Sequence, residues 1–113
     1  MQVVFESRDP EGARLRPLAE QRVRFVMRRL TWLVPRAKVL LSDINGPRGG
    51  LDKRCQVELR TDGDRSVVIT SIARDWRTAL DSALARAARA LVRLLHRGRG
   101  RARHRPLALG ASE

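Results

Sequence analysis

Cysteine is nearly absent from this 113-residue chain, where Cys55 stands alone. A single thiol excludes an internal disulfide and any cysteine-based metal cluster, and it points to a reducing compartment. Histidine is scarce too. His96 and His104 are the two present, and neither has an acidic neighbour to orient or tune it as a base or a ligand. No apolar run is long enough to cross a bilayer, and residues 1–6 lack the cationic start and apolar core of a signal peptide. The expected compartment is therefore the cytoplasm, with no membrane partner.

Catalytic constellations are missing as well. The glycine-rich segment at residues 46–50 precedes a strand and lacks the Lys-Ser/Thr ending of a phosphate-binding loop. Asp43, Asp52, Asp62 and Asp64 fall at loop or strand ends, where turn chemistry accounts for them without a metal. Cys55 alternates with polar residues and reads as a small core side chain. The expectation is a binding protein and not an enzyme, with no cofactor, no metal and no small-molecule substrate.

The most informative shortage is of acids. None lies between Asp81 and Glu113, whereas Arg86, Arg89, Arg93, Arg97, Arg99, Arg101, Arg103 and Arg105 all do. Lys and Arg together number 24 against 12 acids, a net charge of +12 with a sequence pI near 11.8, as expected of a protein that meets a polyanion. A GC-rich coding sequence would account for arginine in place of lysine. It would not remove Asp and Glu from one end of the chain.

What remains is ordinary globular material. At 42% hydrophobic residues, the chain suffices for one domain with one core. Residues 2–7 read as a strand, followed by the turn signal Asp9-Pro10-Glu11-Gly12. From residue 14 to 33, Leu15, Leu18, Ala19, Val23, Val26, Leu30 and Leu33 recur at three and four, predicting a first helix that ends before Pro35. Residues 37–45 read as a second strand. Cys55, Val57 and Leu59 define a third, and residues 66–73 a fourth, hairpin-linked to it. Asp75 is placed to cap a second helix running to about Arg97, with Trp76, Leu80, Ala83, Leu84, Ala87, Leu91, Leu94 and Leu95 on its apolar stripe. Trp32 and Trp76 are both expected as core or helix-edge packing.

The resulting β-α-β-β-β-α order predicts a two-layer α+β sandwich, a four-stranded sheet carrying two helices on one face. Residues 1–97 form the domain. Residues 98–113 form an Arg-rich tail, expected to be mobile in the free protein.

At 100° per residue, Arg86, Arg89, Arg93 and Arg97 fall within a band of roughly 80°, well away from the apolar stripe. Successive members lie about one turn, near 5 Å, apart, a spacing that suits a phosphate backbone. Ordinary exposed helices interleave Glu with Lys or Arg at this interval, and like charges there weaken the helix. RNA binding is the expected use. Arg22, Arg28 and Arg29 on the first helix, Arg48 in the glycine-rich segment, and Lys53 with Arg54 at the third strand are further candidates.

Gln21-Arg22-Val23 in the first helix, Asp75-Trp76 opening the second and Thr78-Ala79-Leu80-Asp81 after it complete a pattern. With the order of elements, over about residues 1–98, the chain resembles the short form of the ribosome hibernation promoting factor family, also described as ribosome-associated translation inhibitors. The resemblance implies a fold like that of double-stranded-RNA-binding domains. It also implies a seat on the small ribosomal subunit and its rRNA, in the channel used by mRNA and tRNA, with translation blocked by occlusion in resting cells. By position, the family's basic residues correspond to Arg86, Arg89, Arg93 and Arg97, and to Arg22 and Arg28. The tail departs from the family: many relatives are acidic there or continue into a second domain that pairs ribosomes. No dedicated dimerisation domain and no self-driven pairing are expected. A general RNA- or DNA-binding protein without ribosome preference is the alternative, and a module for an acidic protein partner a third.

Overall fold

The computed structural model describes residues 1–44, 52–63 and 65–108, with side chains described through Arg97. Arg48, the glycine-rich segment and Asp64 lie outside the described residues, as do the side chains of the expected tail.

The sheet has four strands in the order β1-β2-β3-β4, namely β1 (Gln2–Ser7), β2 (Arg36–Asp43), β3 (Lys53–Arg60) and β4 (Ser66–Ala73). β1 runs parallel to β2, and the other two pairings are antiparallel. Side chains alternate between faces along a strand, so the register aligns whole rows. Phe5, Val39, Val57 and Ile69 stand side by side on one face, where the first three are buried. The opposite face carries the row Val4, Lys38, Glu58 and Val68.

A parallel β1–β2 pair demands a crossover over one face of the sheet. It is made by α1 (Pro10–Ala13), α2 (Arg16–Val26) and a 3-10 turn (Thr31–Leu33). The single helix expected over residues 14–33 is thus corrected to two pieces, α2 and the 3-10 turn, with α1 lying before it. Asp9, taken as part of a turn, caps α1 by accepting from the Glu11 and Gly12 amides. Pro17 occupies the first turn of α2, where a missing N–H costs nothing. Beyond Val26 the chain tightens into three-residue turns, Leu30 N–H to Met27 O at 2.7 Å and Leu33 N–H to Leu30 O at 2.9 Å. This tightening lets Met27 and Val34 both reach the core before β2 begins.

Gly12 is required by close approach. A Cβ there would lie 2.6 Å from Ser7 Oγ and 3.4 Å from the Trp76 ring, and Ser7 Oγ is held in place by donating to Asp9 O and accepting from Asp9 N–H.

The second expected helix is α3 (Trp76–Ala108). Thr78 donates to the Asp75 carboxylate from its amide at 2.8 Å and from its hydroxyl at 2.9 Å, which holds the Asp75 carboxyl below its ordinary range. Leu80, Ala83, Leu84, Ala87 and Leu91 are buried against β3 and β4, each leucine contributing about 1.5–3 kcal/mol. The helix continues past its expected end near Arg97. Once a helix is nucleated each added residue gains a hydrogen bond, and the Gly98 and Gly100 penalties of about 1 kcal/mol each do not stop it. Both long helices lie on one face, completing the expected two-layer α+β sandwich.

Candidate nucleic-acid interface

α3 presents its charge opposite its packing. Arg86, Arg89, Arg93 and Arg97 are all exposed, and among the described residues no carboxylate forms an ion pair with any of them. Arg86 leans over the free edge of β4, where its Nη1 donates to Thr70 O at 3.2 Å. That leaves most of its five N–H donors available. The like-charge spacing that weakens an isolated helix is tolerated because the buried leucines on the other side hold α3 in place.

The remaining candidates divide by whether an acid is near. Arg22 is half-buried on α2 with Nε 3.5 Å from Asp81 Oδ1, so it joins α2 to α3. Lys53 donates to Asp43 Oδ2 at 2.8 Å, sits 3.6 Å from Asp52 Oδ2, and lies over the Trp76 ring at 5.4 Å. The Asp43 hydrogen bond raises its pKa above the ordinary lysine value. Asp52 is only 1% exposed and, among the described residues, neither of its carboxylate oxygens accepts a hydrogen bond, so Lys53 is its compensating charge. Arg54 is half-buried on the sheet face away from the helices, near Gln56 Oε1 at 3.5 Å.

Arg28 and Arg29 are exposed just beyond the end of α2. The Arg28 Nη1 donates to Phe25 O at 2.8 Å, and its guanidinium lies 4.3 Å from the Phe25 ring centroid. Phe25 itself is 59% exposed, which makes an Arg–aromatic plate that periodicity did not single out, since Phe25 falls between the apolar positions of α2.

The two tryptophans part company. Trp76 is buried, and its Nε1 donates to Glu11 Oε1 at 3.1 Å. Trp32 was expected as packing and instead is 74% exposed. It sits on the 3-10 turn between Leu30 and Leu33, off the apolar stripe that those two residues continue. Cys55 is buried as expected, and desolvation pushes its thiol up to about 12.

No group of three or more His, Cys, Asp or Glu residues gathers at metal-binding distance among the described residues. Within the same residues no helix is long and apolar enough to cross a membrane.

The fold therefore defines a class: a basic, two-layer α+β domain with the architecture implied by the hibernation-factor resemblance. Among solved structures it is similar to the N-terminal domain of Thermus thermophilus Protein Y, with a TM-score of 0.66 at 21% identity over 83% of this chain and 99% of that one. It is also similar to a ribosomal subunit interface protein from Coxiella burnetii, with a TM-score of 0.65 at 14% identity over 85% of this chain and 99% of the other. At these identities the likeness establishes a shared fold. No family model matches the sequence, and comparison with curated proteins finds no relative.

Proposed function

We propose that this chain is a ribosome-associated translation inhibitor, a cytoplasmic binding protein without catalytic activity that docks on small-subunit rRNA and occludes the mRNA/tRNA channel. The observation that carries this reading is the row Arg86, Arg89, Arg93 and Arg97, exposed and, among the described residues, without carboxylate partners, on a helix whose other side is buried in the core. Its support is the fold shared with a protein named for the ribosomal subunit interface. Phosphate contacts release counterions, so affinity falls as salt rises. With about six contacts the log–log slope is roughly −4 to −5.

The test is sedimentation of a stationary-phase lysate through a sucrose gradient at low salt, followed by binding to purified small subunits across a salt series. The protein is expected in ribosomal fractions with the steep slope given above. Absence from those fractions, or a slope near zero, removes the reading. A ridge that meets backbone alone is equally consistent with a general RNA or DNA binder. Displacement from small subunits by an equal mass of tRNA or duplex DNA would favour that alternative.

A further inference from the structure

An open cleft of about 440 Å³ lies where the 3-10 turn, the β3–β4 hairpin and α3 meet, lined by Trp32, Leu33, Thr61, Asp62, Arg65, Leu94 and Leu95. Its volume is within the range of about 300–1,000 Å³ usual for ligand pockets. The hairpin holds its shape: Thr61 N–H and Oγ both donate to Arg65 O, at 3.1 and 2.9 Å, and Gly63 takes φ +87°. Asp62 and Arg65 project from this loop exposed, and among the described residues neither side chain has a hydrogen bond or ion pair. Trp32 offers the cleft a largely bare indole, and Leu94 and Leu95 a half-buried apolar wall.

Three features identify the occupant. An indole this exposed and backed by leucine is a stacking platform for a flat ring. The cleft also holds a cation: Arg65 lines it, exposed and without a carboxylate partner among the described residues, which leaves its guanidinium available to a phosphate. The third feature is the carboxylate itself. Asp62 repels phosphate, so beside RNA it is favourable only against a donor, a ribose 2′-OH or a base edge, and among the bases guanine alone presents two adjacent donors, N1–H and the exocyclic N2–H.

We propose that this cleft takes one unstacked guanine of a single-stranded RNA segment, with Trp32 stacked on the base, Asp62 accepting from N1–H and N2–H, and Arg65 beside the neighbouring phosphate. The proposal deepens the rRNA-binding reading and rests on it for the source of the RNA. It adds a base-reading contact to a surface that otherwise meets backbone only.

The test uses the full chain and end-labelled RNA pentamers of equal charge, UUGUU, UUAUU, UUCUU and UUUUU, followed by anisotropy, with quenching of the native tryptophan emission as a second signal. UUGUU is expected to bind about tenfold or more tighter than UUAUU, since a bidentate base contact discriminates at about that level. Trp32→Ala should lose about tenfold or more toward UUGUU, and Trp32→Phe should restore most of it. Asp62→Asn should bring the guanine preference to within about twofold while leaving UUUUU binding intact. Because Trp32 is exposed, these variants keep the wild-type thermal midpoint.

Equal affinities for all four pentamers, or Trp32→Ala binding UUGUU as the wild type does, would overturn the proposal. So would a Trp32→Ala variant that loses small subunits yet binds every pentamer normally, which would assign the cleft to a protein segment. An Arg89→Gln/Arg93→Gln/Arg97→Gln variant should weaken all pentamers alike and retain the guanine preference. If that variant still binds small subunits normally while the preference holds, the ridge reading fails and the cleft stands.

Discussion

Positive charge in this molecule exists in two settings. At the Lys53 end of the sheet the cation is held among Asp43, Asp52 and the Trp76 ring, and on α2 Arg22 is tied to Asp81. Along α3, Arg86, Arg89, Arg93 and Arg97 are exposed, and among the described residues no acid pairs with any of them. Charges of the first kind organise the fold and charges of the second are left for something else, so a count of basic residues overstates the binding surface. The sequence alone placed both kinds in one list.

Replacing Arg89, Arg93 and Arg97 together by Gln should show the largest effect. Affinity for small subunits should fall about a hundredfold or more at 0.1 M salt, and the salt slope should lose about 2 to 3 units, with the thermal midpoint unchanged or raised as like-charge repulsion is removed. A salt titration of binding checks it. Lys53→Gln should do the reverse. It strands the buried Asp52 carboxylate, so the thermal midpoint drops by several degrees while the salt slope keeps its value, as read by calorimetry beside the same binding assay.

An alkaline limb separates the settings further. Cys55 has a folded pKa of about 12 against a lower value when unfolded, so the folded state holds the thiol proton that the unfolded state releases. Its contribution is present below the unfolded pKa and lost as pH rises toward 12, by up to about 4 kcal/mol. The raised Lys53 pKa acts in the same direction. Denaturant melts from pH 8 to 11 should slope downward, and Cys55→Ala should flatten the curve. The smallest change is expected from Arg22→Gln. Its ion pair with Asp81 is more than a third exposed on both sides, so stability should move by less than about 1 kcal/mol. Its effect on RNA affinity should be smaller than that of any single substitution at Arg89, Arg93 or Arg97.

Much of this architecture was legible from residue order. β1 and β4 occupy the predicted spans because each is a short run rich in β-branched residues, with a turn signal after β1 and another before β4. The Leu/Ala stripe of α3 is buried as its period requires as far as Leu91, and Leu94 and Leu95 beyond it are half-buried. The crossover was less transparent. Met27, Leu30 and Leu33 keep the three-to-four spacing through a segment that is no longer α-helical, so periodicity saw one helix, and Trp32, off that stripe, was expected as packing on its residue type alone. The ridge was visible because acids are missing beside it. The captured charges were not, since Asp43 and Lys53 are ten positions apart in sequence and become neighbours only through the β2–β3 register.

α3 carries the core leucines on one side and the arginine row on the other, so the row proposed to meet RNA is assembled only while the core is intact. A ligand that binds only the folded form stabilises it, by about 2.7 kcal/mol when present at a hundred times its Kd. On the proposed function, copies engaged with RNA would be shielded from proteases that act on the unfolded chain, and released copies would not. The lifetime of the protein in a cell would then follow how many RNA sites are vacant for it to fill.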